Sequence, residues 1–261
     1  MAAKVIAFCN RKGGVGKTSI ATVIAYEFAR FGKRTLLIDL DPQANSSAKY
    51  IDNYEDIDGI TEVLIRQIDI KNSIRKTEAH KNLDIITSKI ELDEVVEYMQ
   101  MKSQIAILKR QIEDIRNDYD IVVLDTNPSI PIMLRNCVYA SDLIIIPANI
   151  DKNSIKGVDL TLKIIKETIM DSPIELEVDY RIAMSKVTFS AGEPTNIAKE
   201  VLKQVKDKYS YRLLESTIRL QSKPAQMQSF INSFFPTDDD SKYGNDYKQL
   251  RKELENLLWQ E

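Results

Sequence analysis

The chain is poor in the residues on which many functions depend. Its 261 residues include two cysteines, Cys9 and Cys137, and one histidine, His80. Cysteines that far apart form neither a disulfide framework nor a Cys-x-x-Cys pair, and they read as core residues, Cys9 in a buried strand and Cys137 in a helix. A single His80 among charges reads as a surface residue, leaving little material for histidine acid–base chemistry or a histidine metal site. No run approaches the roughly 18 apolar residues of a membrane span, and Met1 leads straight into an apolar run with no secretory signal, so a cytoplasmic protein is expected. Glycine is scarce as well, at eight residues, which makes its placement informative.

What the chain does have is enough apolar material for a full core: 43% hydrophobic residues beside 29% charged ones, with a net charge of −3. One domain spanning residues 1–261 is expected. Three of the eight glycines fall within four positions of Arg11-Lys12-Gly13-Gly14-Val15-Gly16-Lys17-Thr18. At a background near 7% glycine, three such placements occur by chance about 3 times in 10,000 starts. An apolar run at residues 5–9 precedes the stretch, and apolar residues at helical spacing follow from Ile20. The pattern is strand, phosphate loop, helix, with backbone N–H groups turned around an anion and the positive end of a helix behind them. Lys17 would reach the β- and γ-phosphates, and the Thr18 hydroxyl would take a position on Mg²⁺.

The general phosphate-loop pattern, Gly-x-x-x-x-Gly-Lys-[Ser/Thr], calls for glycine where this chain has Arg11 and does not call for Lys12. A lysine at the loop entrance cannot easily bend back onto its own phosphates, but it can reach those held by a facing copy. Lys-Gly-Gly-Val-Gly-Lys-Thr resembles the deviant Walker A motif of the ParA/MinD family. That resemblance implies an ATPase that uses ATP and Mg²⁺, contacts the nucleotide through Lys12, Gly13, Gly14, Val15, Gly16, Lys17, Thr18 and Ser19, and closes into an ATP-sandwich homodimer in which Lys12 acts across the interface.

Further along, residues 20–29 form a helix that ends at Gly32, and residues 34–40 form a nearly continuous apolar strand of the kind buried in a parallel sheet. Asp39 and Asp41 come as it ends, where open α/β sheets bind ligands. Asp41-Pro42-Gln43-Ala44-Asn45 resembles the family's second motif, which implies Asp41 as the catalytic carboxylate and Asp39 as a partner of the Mg²⁺ site. A helix is expected at 60–67, a strand at 83–88 and one long amphipathic helix over 91–115. Residues 120–125 are a buried strand ending in Asp125, which resembles Walker B and implies a hold on Mg²⁺. The family follows this acid with two prolines and a serine, whereas this chain has Thr126-Asn127-Pro128-Ser129, a change expected to alter the stiffness of the loop. A strand at 143–148, a helix at 154–170 with Gly157 early in it and a strand at 181–187 complete an α/β fold: a doubly wound, mostly parallel sheet with helices on both faces. The loop at 185–193 lies where relatives place the adenine.

Residues 199–223 carry seven basic side chains against three acids. Non-specific DNA binding draws its affinity from such patches, although a solvated helix face is the commoner meaning of such a run. In the tail, Leu250, Leu254, Leu257 and Leu258 share one face while the charges cancel, which suits docking on the domain better than a basic, membrane-targeting helix of the MinD type. Asp238, Asp239 and Asp240 precede it as an exposed loop. The resemblance as a whole implies a compact, Soj-like ATPase without an N-terminal DNA-reading domain, cytoplasmic and nucleoid-associated. Its implied partners are a second copy, non-specific DNA and a ParB-like centromere-binding protein, with no membrane. A MinD-like positioning ATPase and an ATP-dependent small-molecule ligase are the alternatives. An iron–sulfur carrier would need paired, interface-facing cysteines that Cys9 and Cys137 do not supply.

Overall fold

The computed structural model describes residues 2–127, 130–220 and 242–259. Pro128, Ser129, Lys223, Asp238, Asp239 and Asp240 lie outside them. The elements run β1 (Lys4–Phe8), α1 (Lys17–Arg30), β2 (Thr35–Leu40), α2 (Ser47–Tyr50), α3 (Ile60–Leu64), β3 (Ile74–Lys76), β4 (Leu83–Ile86), α4 (Leu92–Met101), α5 (Ile107–Glu113), β5 (Ile121–Thr126) and α6 (Pro131–Ala140). They continue with β6 (Leu143–Asn149), α7 (Lys152–Met170), β7 (Asp179–Val187), the small hairpin of β8 (Phe189–Ser190) and β9 (Glu193–Pro194), α8 (Asn196–Tyr209), β10 (Leu213–Arg219) and α9 (Lys242–Leu258). Eight strands make one sheet in the order β10-β7-β6-β1-β5-β2-β4-β3, with only β3 antiparallel to its neighbour.

The side-chain alternation of β1 shows why its apolar run is unbroken. Val5, Ala7 and Cys9 point into the core shared with α3 to α8, while Ile6 and Phe8 point into the core under α1 and α9. Both faces are dry, so a polar residue at either parity would be buried. Cys9 and Cys137 are both free and buried, as expected of core residues. β1 lies between β5 and β6, and the connections diverge from it, so its carboxyl end opens into the crevice where such sheets bind ligands.

Two helices are shorter than their apolar spacing suggests. The helix expected over 91–115 is two, α4 and α5. Ser103 at φ 51 closes α4, and its N–H and that of Gln104 bond back to the carbonyls of Gln100 and Met99. This is the closure usually made by a left-handed glycine, here carried by serine, so no glycine marks it in the sequence. Asn136 of α6 secures the break, its Nδ2 donating to the Gln104 carbonyl at 2.8 Å and its Oδ1 accepting from the Leu108 N–H at 3.2 Å. The helix expected at 60–67 is likewise cut to Ile60–Leu64, with Arg66 left-handed at φ 60. α7 opens at Lys152, two residues before expectation, behind the Asp151 side chain, which accepts from the Asn153 N–H. His80 is half-buried, its ring edge-on to Tyr26 at 6.2 Å, where a surface position was expected.

α9 docks on its own domain. Leu250, Leu254 and Leu258 are buried against the core that contains α1, and the Glu253 carboxylate accepts the N–H groups of Glu215 at 2.8 Å and Ser216 at 2.9 Å. Those donors belong to β10, the last strand of the sheet, so the helix also satisfies an open sheet edge. Asp246 adds a two-pronged pair with Arg219, at 2.7 and 2.8 Å. Because the apolar face of α9 is spent internally, Leu254→Ala is expected to destabilise the protein by about 2–5 kcal/mol in urea unfolding. A change below about 1 kcal/mol would show that the helix is not docked in solution.

Candidate active site

β1 ends in a loop whose shape its glycines permit. Gly14 and Gly16 are left-handed, at φ 72 and 86, and α1 begins at Lys17. The first helical bond runs from the Ile20 N–H to the Gly16 carbonyl, so the N–H groups of Lys17, Thr18 and Ser19 have no acceptor within the helix and open towards the loop. Gly13 and Gly14 are exposed, and nothing lies within 4 Å of where a Cβ would stand on either.

The loop is clamped from both sides by residues far away in sequence. Asn10, only 2% exposed, donates to the Pro147 carbonyl at 2.6 Å and accepts the Lys12 N–H at 2.8 Å. Thr161 of α7 accepts the Arg11 N–H at 2.9 Å. From β7, Ser185 Oγ donates to the Val15 carbonyl at 2.7 Å and Lys186 Nζ to the Gly14 carbonyl at 2.7 Å. The segment expected to meet adenine thus begins by supporting the loop. Gly157 lets α7 come this close, since an added Cβ would stand 2.7 Å from Lys12 Cβ and 2.9 Å from Asn10 Oδ1.

The two lysines of the loop differ in direction. Lys17 is buried, and its Nζ lies 3.3 Å from the Lys12 carbonyl, across the inside of the loop. Burial lowers its pKa, against the pull of Asp125, Cys9 and Asp41. Lys12 points outward, its Nζ 2.6 Å from Asp151 Oδ2 just before α7 and 3.5 Å from Asn149 Oδ1 at the end of β6. Within one chain, therefore, its partner is Asp151, which sequence reasoning did not single out.

The three carboxylates gather at the ends of β2 and β5. Strand register pairs Asp39 directly with Asp125, and both are fully buried. Asp125 Oδ1 accepts from Thr18 Oγ1 at 3.3 Å, and Oδ2 accepts from Ser46 Oγ at 2.6 Å. Both oxygens of Asp39 are occupied: Oδ1 by the Asp41 N–H at 3.1 Å, Oδ2 by the Ser47 N–H and hydroxyl at 2.8 and 2.7 Å. Burial, and then the neighbouring Asp125 charge, push Asp39 up to about 7, while burial raises Asp125 to about 6. Asp41, 6% exposed, receives the Gln43 N–H at 3.0 Å and Asn127 Nδ2 at 2.7 Å, both on Oδ1. Lys49 of α2 is held close, 3.2 Å from Thr22 Oγ1, its pKa lowered by burial against the attraction of Asp125 and Asp39.

Among the described residues no cluster of three or more His, Cys, Asp or Glu forms a metal cage. The oxygen donors of Thr18 and Asp125 instead suit a small hard cation that keeps waters and phosphate oxygens as its other ligands, as Mg²⁺ does.

A glycine loop closing on a helix start at the end of a central parallel strand, with acids ending the two neighbouring motifs, defines a P-loop nucleotide hydrolase with a deviant Walker A loop. Residues 3–178 match the AAA domain family model, and the chain belongs to that family of ATPases, in its ParA/MinD branch. It is 27% identical over 253 residues to the sporulation initiation inhibitor protein Soj of Bacillus subtilis, covering 96% of this chain and 98% of Soj. A candidate plasmid partition protein of Borrelia burgdorferi B31, solved bound to AMPPNP, superposes with a TM-score of 0.80 at 25% identity, covering 98% of this chain and 99% of that one. Cobyrinic acid a,c-diamide synthase of Mycobacterium smegmatis has a TM-score of 0.82 at 22% identity over 97% of this chain and 94% of its own, a likeness of fold alone.

Gly157→Ala tests the clamp. Alanine favours a helix by about 1 kcal/mol over glycine, so α7 itself gains, whereas the Cβ has to displace Lys12 and Asn10. A fall in affinity for fluorescent ATP of about tenfold or more is expected with circular dichroism unchanged. Affinity within about twofold of wild type would show that the loop does not depend on this approach.

Proposed function

We propose that the chain is a DNA partition ATPase that works as an ATP-sandwich dimer. Residues 13–19 cradle the phosphates, and Lys17 neutralises the β- and γ-phosphates from within the loop. Thr18 and Asp125 would hold Mg²⁺, with Asp39 behind them fixing the turn into α2; the ion would supply charge neutralisation to the phosphates. Asp41 orients the attacking water and accepts its proton, and Lys12 reaches the γ-phosphate of the facing copy. The dimer binds DNA non-specifically, and a ParB-like centromere-binding partner stimulates hydrolysis. The site of action is the nucleoid, in the cytoplasm.

The observation that carries this reading is the direction of Lys12. Its backbone is fixed by Asn10 and by the close approach of Gly157, and its ammonium faces away from the loop interior that Lys17 occupies. The pair it makes with Asp151, whose side chain is 48% exposed, is of a kind that contributes little and exchanges readily, so a phosphate brought up from outside can replace the carboxylate. Likeness to the candidate plasmid partition protein of Borrelia burgdorferi along nearly the whole of both chains supports partition as the process. No helix among the described residues is long and apolar enough to cross a membrane. The apolar face of α9 is already buried, which disfavours a MinD-like role.

The DNA surface is narrower than the basic run at 199–223 suggests. Lys208 pairs with Asp159 at 2.5 Å, Arg212 with Asp179, and Arg219 with Asp246 at 2.7 Å. Lys199 faces Glu193 at 3.6 Å in an exposed pair. Among the described residues, Lys203 and Lys206 are exposed and have no ion pair, and they share the Lys199 face of α8, so the described part of the run leaves a stripe of three lysines.

Light scattering tests the dimer. Asp41→Ala is expected to shift from monomer to dimer mass on ATP and Mg²⁺, whereas Lys12→Ala in that background stays monomeric while keeping most of its nucleotide affinity. Lys12→Ala alone should lose hydrolysis on the order of 10³-fold, as when an arginine finger is removed. A double variant that still dimerises would make Lys12 a local loop residue. DNA binding is expected to need ATP, to show little sequence preference and to weaken steeply with salt. Equal binding with ATP and ADP, or none at low salt, would overturn partition and favour an ATP-dependent ligase.

A further inference from the structure

The departure Thr126-Asn127-Pro128 reads differently once the strands are aligned. Leu40 of β2 pairs with Thr126 of β5, so Asp41 and Asn127 are the next residues beyond the paired ends of two adjacent strands. There the Asn127 side chain crosses the gap and donates from Nδ2 to Asp41 Oδ1 at 2.7 Å. The same oxygen receives the Gln43 N–H at 3.0 Å. Among the described residues, nothing donates to Oδ2.

An aspartate carboxylate turns easily about its last torsion, whose preferences are broad and twofold. Two donors on one oxygen end that freedom. They mark Oδ1 as the held oxygen and leave the lone pairs of Oδ2 for another donor. A neutral amide achieves this without cancelling the charge of the carboxylate, as a lysine or arginine would. Proline, which the family pattern has at this place, has no side-chain donor.

We propose that Asn127 is a positioning residue for hydrolysis: it clamps Asp41 Oδ1 so that Oδ2 faces the attacking water. This rests on Asp41 being the carboxylate that receives the proton. In that step the water oxygen bonds to the γ-phosphorus, the bridging β–γ P–O bond breaks with its electrons going to ADP, and the water proton goes to Oδ2 before being returned to solvent. In this role Asn127 acts on Asp41 alone and not by contact with nucleotide or water. Its effect runs through the angle at which Oδ2 is presented, so it falls on kcat and not on ATP affinity.

Steady-state hydrolysis of ATP with Mg²⁺ is to be measured for the wild type, Asn127→Ala, Asn127→Pro, Asn127→Asp, Asp41→Ala and the Asn127→Ala, Asp41→Ala double variant. Fluorescent ATP titration and thermal unfolding accompany each. Asn127→Pro supplies the stiffness of the family loop without the donor, and Asn127→Asp keeps the shape of the side chain while removing its N–H. All three Asn127 variants are expected to lose about ten- to a hundredfold in kcat, with ATP affinity within about twofold of wild type. In the Asp41→Ala background, Asn127→Ala is expected to cost nothing further, since the carboxylate it positions is gone. Wild-type kcat in Asn127→Pro or Asn127→Asp, or a further loss in the double variant, would overturn the inference. If Asp41→Ala itself hydrolysed at the wild-type rate, the role of Asp41 would fall instead, a result separable from the first because it appears without any change at Asn127.

Discussion

Two carboxylates side by side in a dry interior set the terms for everything around them. Asp39 and Asp125 stand on adjacent parallel strands at the same rung, fully buried, and each raises the free energy of ionising the other. Left alone, such a pair would stay protonated or pull water into the core. The chain surrounds it with donors instead: Ser46 and Thr18 on Asp125, Ser47 and the Asp41 N–H on Asp39, and the ammoniums of Lys17 and Lys49 near by. The turn after β2, the start of α2 and the first turn of α1 are thereby tied to one point. The chemistry therefore sits where the sheet order diverges, and the segments there have no freedom to drift.

Much of this was legible in the sequence because the signals are local. Three closely spaced glycines, a strand that ends in Asp39-Leu40-Asp41 and another that ends in Asp125 lead to a phosphate loop flanked by acids, and the register brings those acids together. The tail was legible for a similar reason, since four leucines on one face with cancelling charges leave docking as their simplest use. The α4–α5 break was not legible. It depends on Ser103 adopting a conformation that glycine usually signals and on Asn136, more than thirty residues away, satisfying the freed backbone groups.

The clamp on the loop was hidden for a different reason. Asn10 adjoins the motif and was open to notice as a polar residue at the end of an apolar strand, but Thr161, Ser185 and Lys186 reach the loop from about 150 to 172 positions away. Their residue types are common and their spacing has no period. Only the glycine at 157 left a trace, because a helix that tolerates glycine near its start invites the question of what lies against it. In the basic run at 199–223 the charges could be counted but their pairing could not: in its described part, Asp159, Asp179 and Asp246 come from other elements to meet Lys208, Arg212 and Arg219.

The treatment of the sheet edges limits how copies of this chain can meet. At one end, the backbone donors of Glu215 and Ser216 on β10 already have an acceptor in Glu253 of α9. At the other, β3 is three residues long and carries Arg75 and Lys76, a short charged rim that resists pairing with a neighbour's strand. Among the described residues, both edges thus disfavour assembly by extending the sheet from molecule to molecule. Loops and helix surfaces are where copies could meet, and an interface built there would open and close without breaking any strand pairing.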